Sequence, residues 1–128
     1  MAADFFKTHQ ATLDQALSSI LERNFWSAYP ENPSPRAYGE TAAQDGQAAF
    51  EAYRGKAFPL TLEGAQGEVG NEQSPFGFDL GISYPKVPVD QLLAQSQLAL
   101  DSWRDAGPQA WVGICLEILH RLNLRSFE

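Results

Sequence analysis

The sequence is poor in cysteine, in basic residues and in long apolar runs, and each shortage excludes a class of protein. A single cysteine among 128 residues excludes an internal disulfide and a cysteine-based zinc site. Nine basic against sixteen acidic residues give a net charge of −7, which argues against a nucleic-acid or anionic-membrane surface. No apolar run reaches the roughly 20 residues that a membrane-spanning helix needs. Residues 1–4 do not begin the apolar segment that is typical of a secretory signal peptide. We therefore expect a cytoplasmic protein whose partners include neither nucleic acid nor a membrane.

Apolar and aromatic residues are plentiful by comparison. The hydrophobic fraction is 44%, with three Trp, four Tyr and eight Phe, which is enough for a core in one domain of ordinary size. The patterns described below predict an α+β fold that is mostly helical. We expect about four helices and one β-hairpin within a single domain of residues 1–128.

The strongest pattern is a helical hairpin over residues 89–125. In its second half the apolar residues fall at helical offsets 0, 3, 4, 7, 8 and 11, and they are Trp111, Ile114, Cys115, Ile118, Leu119 and Leu122. Gly107 and Pro108 mark the turn, because proline suits the first turn of a helix and glycine tolerates the bend before it. The pattern predicts two antiparallel helices, the second of which continues through residues 125–128.

The sequence of residues 1–40 predicts a helix followed by an extended arm. The helix covers residues 1–23, with an apolar face that must find a partner and that consists of Leu13, Ala16, Leu17, Ile20 and Leu21. Residues 24–40 are rich in aromatics and contain Pro30, Pro33 and Pro35, which exclude a helix and favour an extended arm. The arm is either a docking strap for a partner or a connector pinned to its own domain, and the connector is favoured.

A second helix is predicted over residues 41–55, and an extended region with a β-hairpin over residues 56–88. Thr41 and Gln44 have the spacing of a capping box, while Gly46 weakens the helix interior. Apolar residues alternate with small or polar residues from Phe76 to Tyr84, which predicts a nine-residue strand. A short partner strand near residues 68–70 would pair with it through a turn at residues 71–75.

Several residues invite a chemical interpretation, and each has a stronger structural one. His9 has no second histidine or carboxylate cluster at a metal-ligand spacing, so we expect it at the edge of the core. Cys115 lies on the predicted apolar stripe, where burial makes a thiol inert. His120 is expected to be solvated near the negative end of its helix, and Glu117 and Asp105 show no paired geometry.

A glycine-rich loop at residues 64–70 resembles a nucleotide-binding loop only superficially. It lacks the full Gly-x-Gly-x-x-Gly spacing, and no helix follows it to face a pyrophosphate. The sequence therefore predicts a flexible turn here. No residue of the chain is assigned to a catalytic, cofactor-binding or metal site.

Four segments together resemble the aldehyde dehydrogenase superfamily. Trp103–Pro108, between two amphipathic helices, is similar to the start of that superfamily. Tyr29–Glu40 resembles one branch, the phenylacetic-acid-degradation (PaaN-type) aldehyde dehydrogenases, and Ser74–Gly77 and Leu80–Pro85 fit the same branch. The superfamily usually has an arginine at the position of Trp111, so a surface or interface contact differs there.

The resemblance implies that this chain is the N-terminal region of a longer oxidoreductase. The parent would be an NAD(P)-dependent aldehyde dehydrogenase that oxidises a semialdehyde formed after ring opening in aerobic phenylacetate degradation. The catalytic cysteine, the general-base glutamate and the dinucleotide-binding segment of this family lie downstream of the matching region. The present chain would then hold no cofactor, while the parent would use NAD or NADP. Its partner would be the remainder of the aldehyde dehydrogenase chain or a homo-oligomer, with structural and subunit-contact roles.

Two other classes of function remain open. The chain could be a freestanding helical protein–protein interaction module that uses the aromatic arm and an exposed hairpin edge. It could also bind a small molecule on the apolar face of the predicted strand. A freestanding module should be monomeric with few exposed apolar patches, whereas a segment of a larger protein should leave apolar stripes open.

Overall fold

The computed structural model describes residues 4–128, which form two compact units. One unit contains residues 4–46 together with Arg104–Glu128; the other contains Gln47–Trp103. The helices are α1 (Phe5–Thr8), α2 (Gln10–Glu22), α3 (Pro35–Tyr38), α4 (Ala42–Tyr53) and α5 (Val89–Leu124), and the strands are β1 (Glu68–Val69) and β2 (Tyr84–Pro85). The predicted mostly helical α+β fold is confirmed at this level, although the helices are divided differently from the prediction.

The predicted N-terminal helix is divided at His9. Asp4 caps α1, because its side-chain Oδ1 accepts a hydrogen bond from the backbone N–H of Lys7 at 3.2 Å. His9 has φ −106° and ψ 11°, so the helical path is interrupted before α2 begins. The second helix ends at Arg23, which adopts a left-handed conformation with φ 56°.

The arm at residues 24–40 contains a short helix, although its prolines predicted an extended chain throughout. Residues Pro35–Tyr38 form α3, with Pro35 in the first turn, where the missing N–H of proline costs nothing. The hydroxyl of Tyr38 lies 2.7 Å from the Pro30 carbonyl oxygen and 3.0 Å from Asn123 Oδ1. Its ring meets Phe127 edge-on at 5.3 Å between centroids. This end of the arm is thus attached to its own unit.

Helix α4 lies where the second helix was predicted, and its glycine has a packing role. Gly46 is buried, and a Cβ atom added there would overlap the side chain and carbonyl of Phe127. Glycine therefore allows the backbone at residue 127 to approach the helix closely.

The predicted nine-residue strand is wrong, whereas the position of its partner is right. The two short strands pair antiparallel, with Glu68 opposite Pro85 and Val69 opposite Tyr84. Only the end of the Phe76–Tyr84 stretch enters β2, because the backbone turns at Gly77 and Gly81, whose φ values are +87° and +64°. The chain also forms isolated bridges between Gln73 and Asp79 and between Ala57 and Ser83. The remainder of the Phe76–Tyr84 stretch is an irregular loop and not a strand.

Helix α5 is interrupted where the sequence predicted a turn. Gly107 has φ 79° and ψ 173°, which no helical residue adopts, and Pro108 follows it. The two halves of α5 belong largely to different units, so their antiparallel packing stays a prediction. The helix ends at Leu124, and residues 125–127 form a turn instead of continuing it.

The described residues bury little apolar surface. Ile82, at 6% exposure, is the single buried hydrophobic residue among residues 4–128. The accessible surface is 10085 Å², whereas a compact monomer of 14.1 kDa exposes about 6,700 Å². Even two separate compact halves of this mass would expose only about 8,100 Å². The excess does not depend on how the two units are arranged.

Within residues 4–128, no helix has the length and apolar character that crossing a membrane requires.

Candidate functional site

The most structured polar cluster joins the α1–α2 junction to helix α5. His9 is buried at 8% exposure, and its Nε2 lies 2.7 Å from Glu117 Oε2. The two residues are 108 positions apart in the sequence. Arg121, one turn after Glu117, donates from Nε to Glu117 Oε1 at 2.7 Å. Both oxygens of the Glu117 carboxylate therefore have a partner.

Electrostatics in this cluster favour the ionised form of Glu117. The hydrogen bond from His9 and then that from Arg121 hold the pKa of the Glu117 carboxyl below its ordinary value, against an opposing contribution from desolvation. Hydrogen bonds with a charged partner are stronger than neutral ones. The cluster therefore fastens the chain at His9 to the second half of α5.

Two aromatic rings extend the cluster towards the arm. The His120 ring lies 5.5 Å from that of His9 and 6.2 Å from that of Tyr29, measured between centroids. The cluster thus draws on three parts of one unit: the α1–α2 junction, the arm and helix α5. Such spacing suits packing between the rings.

The cluster has few of the parts that catalysis requires. A carboxylate that orients a histidine is one half of a nucleophile-activating arrangement, which also needs a hydroxyl or thiol within hydrogen-bond reach of the imidazole. None of the contacts described within residues 4–128 brings such a group to His9. The same residues contain no group of three or more His, Cys, Asp or Glu side chains that could hold a metal ion.

Four of the residues considered in the sequence lie differently from the prediction. His9 was expected at the edge of the core, but it is buried, and its Nε2 lies 2.7 Å from Glu117 Oε2. The expectation that Glu117 has no paired geometry is wrong for the same reason. His120 is half-buried between two rings and is not fully solvated. Cys115 is exposed, which corrects its prediction as a core residue.

The physical reason for these corrections is long-range packing. The His9–Glu117 contact joins residues too far apart for helical periodicity to reveal, although Glu117 and Arg121 at i and i+4 were visible as a pair. Cys115 was placed inside because its offsets match the apolar stripe. Ile118, Leu119 and Leu122 of that stripe are exposed too, at 53%, 44% and 65%. These apolar residues do follow helical spacing along α5, but no other part of the described chain covers them.

The glycine-rich loop does not fit a dinucleotide. It leads into strand β1 at Glu68, so no helix N-terminus follows the glycines to face a pyrophosphate. The N–H of Gln66 donates to the Lys86 carbonyl at 2.7 Å, and that of Lys86 donates to the Gly67 carbonyl at 3.0 Å. These two hydrogen bonds connect residues 66–67 of the loop to Lys86, which directly follows β2.

Exposed apolar side chains are the most extensive feature that could contact another molecule. In the first unit they are Leu17, Ile20, Leu21, Phe25, Ile118, Leu119, Leu122 and Leu124. In the second unit they are Leu60, Val69, Phe76, Phe78, Val89, Leu92, Leu93, Leu98, Leu100 and Trp103. Scattered exposed apolar residues are ordinary, but these follow helical spacing along α2 and both halves of α5. Such ordered exposure is typical of surfaces that another part of a protein covers.

Comparison with known proteins finds one informative relative. The chain is similar to a crystal structure of an NAD-dependent aldehyde dehydrogenase from Burkholderia multivorans, with 47% sequence identity and a TM-score of 0.85. The match covers 100% of this chain and 23% of that one. No family model matches the sequence, and a search of curated proteins gives no match.

Identity at this level over every residue of the chain is evidence of common ancestry as well as common fold. The matched region is a partial one, since the chain spans less than a quarter of its relative. The sequence and the fold thus support the aldehyde dehydrogenase superfamily, of which this chain resembles a segment.

Proposed function

We propose that the chain is the non-catalytic N-terminal region of a PaaN-type NAD(P)-dependent aldehyde dehydrogenase of aerobic phenylacetate degradation. The complete enzyme oxidises a semialdehyde formed after ring opening. The observation that carries the proposal is the 47% identity, across the whole chain, with an NAD-dependent aldehyde dehydrogenase. The segments Tyr29–Glu40, Ser74–Gly77 and Leu80–Pro85 support the particular branch.

A structural role for these residues is supported by how their surfaces are arranged. The accessible surface is 10085 Å², which is about 2,000 Å² above the ~8,100 Å² expected of two separate compact halves of this mass. The best-defined polar cluster, His9–Glu117–Arg121, fastens elements of the chain to each other. Neither observation suggests a reaction, and both suit a segment that packs against more protein.

The proposed partner is the remainder of the aldehyde dehydrogenase chain, with a second subunit as a further contact. Apolar faces on α2 and α5 supply the surface that such packing would bury. NAD or NADP would then bind to the remainder, since the glycine-rich loop of this segment does not suit a pyrophosphate.

The alternative of a freestanding interaction module receives less support. An independent domain of 128 residues is expected to bury most of its large apolar side chains. Here Leu21, Phe25, Phe76 and Leu98 are all more than 80% exposed. A protein with these surfaces would self-associate unless further chain covered them.

The test is the activity of the complete gene product. We expect it to reduce NAD or NADP when supplied with the ring-opened semialdehyde derived from phenylacetyl-CoA, measured by the absorbance of the reduced nicotinamide. Ordinary aliphatic and aromatic aldehydes serve as comparison substrates and define how selective the enzyme is. Oxidation of other aldehydes alone would remove the phenylacetate assignment, and failure to oxidise any aldehyde would overturn the proposal.

A further inference from the structure

The arm at residues 24–40 lacks the contacts that usually hold a segment in place. None of its residues is buried. From residue 25 to residue 33, no backbone N–H donates to a backbone carbonyl of the described chain, and Pro30 and Pro33 have no N–H at all. A segment with few buried apolar contacts and few backbone hydrogen bonds opens locally at a low cost in free energy.

Two side chains of the arm make its ring contacts and hydrogen bonds with the C-terminal part of the chain. The ring of Tyr29 lies 6.2 Å from that of His120, and the ring of Tyr38 lies 5.3 Å from that of Phe127. His120 and Phe127 are seven residues apart, so these contacts are separated by about two helical turns along this part of the chain.

The hydroxyl of Tyr38 lies between two hydrogen-bond acceptors. The carbonyl oxygen of Pro30, in the arm itself, is 2.7 Å away, and Asn123 Oδ1, on α5, is 3.0 Å away. The first contact closes residues 30–38 into a loop, and the second attaches that loop to α5. Because both contacts depend on one hydroxyl group, they are lost together when Tyr38 moves away. We name the two contacts the Tyr38 clasp.

From this arrangement we infer that the arm opens from α5 as one unit, by release of the Tyr38 clasp, while α2, α4 and α5 remain folded. Both ends of the arm have their own support. The Asn24 N–H donates to the Ser19 carbonyl at 2.9 Å, and α4 begins directly after the arm. Opening exposes the side chains of His120 and Asn123, which are half-buried when the arm is closed. The inference does not rest on the proposed function, since these contacts all lie within residues 4–128.

The test is limited proteolysis of the complete gene product with trypsin. Arg36 lies in α3, next to the clasp, so trypsin cuts after it only when the arm has left α5 and α3 has unwound. When opening and closing are fast compared with cleavage, the cleavage rate is proportional to the open fraction. The rate is followed by mass spectrometry at several trypsin concentrations. Cleavage after Arg121 reports the opening of α5 in the same sample.

Tyr38→Phe removes the hydroxyl of the clasp and keeps the ring that contacts Phe127. We expect cleavage after Arg36 to become about three- to tenfold faster, which is the effect of losing one ordinary hydrogen bond. Cleavage after Arg121 should be unchanged, because α5 stays folded when the arm opens.

Tyr29→Phe is the matched control within the same arm. It also removes a phenolic hydroxyl, but that of Tyr29 makes no hydrogen bond with any described residue, and the ring next to His120 is kept. The cleavage rate after Arg36 should therefore not change. Asn123→Ala tests the clasp from the side of α5 and should accelerate the cleavage after Arg36, although alanine favours the helix itself.

Three results would overturn the inference. Equal cleavage rates after Arg36 in Tyr38→Phe and in the unmodified protein would mean that the clasp does not hold the arm. Cleavage after Arg36 that is no faster than cleavage after Arg121 would mean that the arm opens only together with α5. Complete resistance of Arg36 in every variant, while other sites are cut, would mean that a further surface keeps the arm closed.

Discussion

At the scale of single residues, the contact between His9 and Glu117 organises the first unit. Its 2.7 Å separation and the hydrogen bond from Arg121 to the other carboxylate oxygen hold the pKa of Glu117 below its ordinary value. The sequence could show the Glu117–Arg121 pair, since both lie on one helix a turn apart. It could not show His9, because the partner lies 108 residues away and only packing brings the two together.

Glu117→Gln should lower the stability of the protein at neutral pH. A carboxyl group whose pKa is lower in the folded state stabilises the fold above its unfolded pKa, and that contribution is lost as the pH falls through the folded pKa. The difference in Tm between the variant and the unmodified chain should therefore be largest near pH 7. It should shrink as the pH falls below the ordinary range of glutamate, near about 4.

The measurement is thermal unfolding followed by circular dichroism at a series of pH values. Glu31→Gln, at an exposed position, is the control and should leave the pH dependence unchanged. Parallel curves for Glu117→Gln and the unmodified chain over the whole pH range would refute the role given to Glu117.

Arg23→Gly should stabilise the protein. Arg23 ends α2 with φ 56°, a conformation that costs a residue with a Cβ atom about 1–2 kcal/mol and glycine far less. Allowing for the greater freedom of glycine in the unfolded chain, we expect a gain of about 0.5–1 kcal/mol in the free energy of unfolding, measured with urea. Arg23→Ala, which removes the same side chain but keeps the Cβ atom, should show no gain. Equal effects of the two substitutions would contradict the explanation.

At the scale of elements, helices were more predictable than strands. The periodicity of residues 41–55 and the Gly107–Pro108 break depend on neighbours along the chain, and the structure has α4 at Ala42–Tyr53 and a non-helical Gly107. Apolar residues alternate from Phe76 to Tyr84 as regularly as they repeat along the helices. The positions between them, however, include Gly77 and Gly81, where the backbone turns. A period of two predicts a strand only where the residues between the apolar ones can remain extended.

Gly113→Ala tests how closely α1 approaches α5. Gly113 is buried, and a Cβ atom there would lie 2.5 Å from the backbone N of Phe6. At a solvent-exposed position in a helix, replacing glycine with alanine would stabilise the protein by about 1 kcal/mol. Here the added methyl group would overpack against the backbone of α1, which costs about 1–3 kcal/mol. We therefore expect a net loss in the free energy of unfolding.

Urea unfolding measures this loss, with Gln109→Ala at an exposed position of the same helix as the control for helix propensity. A gain of about 1 kcal/mol from Gly113→Ala would show that the two helices are not in close contact.

At the scale of the whole molecule, exposed apolar surface is the dominant property. The sequence predicted apolar stripes and the need for a partner, and the structure leaves Leu21, Leu98 and Leu122 at 83%, 82% and 65% exposure. Periodicity identifies an apolar face but not what covers it, because the covering residues belong to another part of the fold. This is why Cys115 was placed in a core that the described residues do not complete.

The 128-residue chain by itself should therefore bind a hydrophobic dye and self-associate. We expect strong enhancement of anilinonaphthalene sulfonate fluorescence and species larger than a monomer in sedimentation velocity, since ordered apolar faces remain accessible to water. The complete gene product is the control and should bind less dye per chain. A monomeric chain with little dye binding would favour the freestanding interaction module.

The most direct test of the central claim is the reading frame that follows the codon for Glu128 in the source genome. If the chain is a segment of an aldehyde dehydrogenase, the frame should continue without interruption. It should then encode a dinucleotide-binding segment, a general-base glutamate and a nucleophilic cysteine. A stop codon directly after Glu128 would contradict the account.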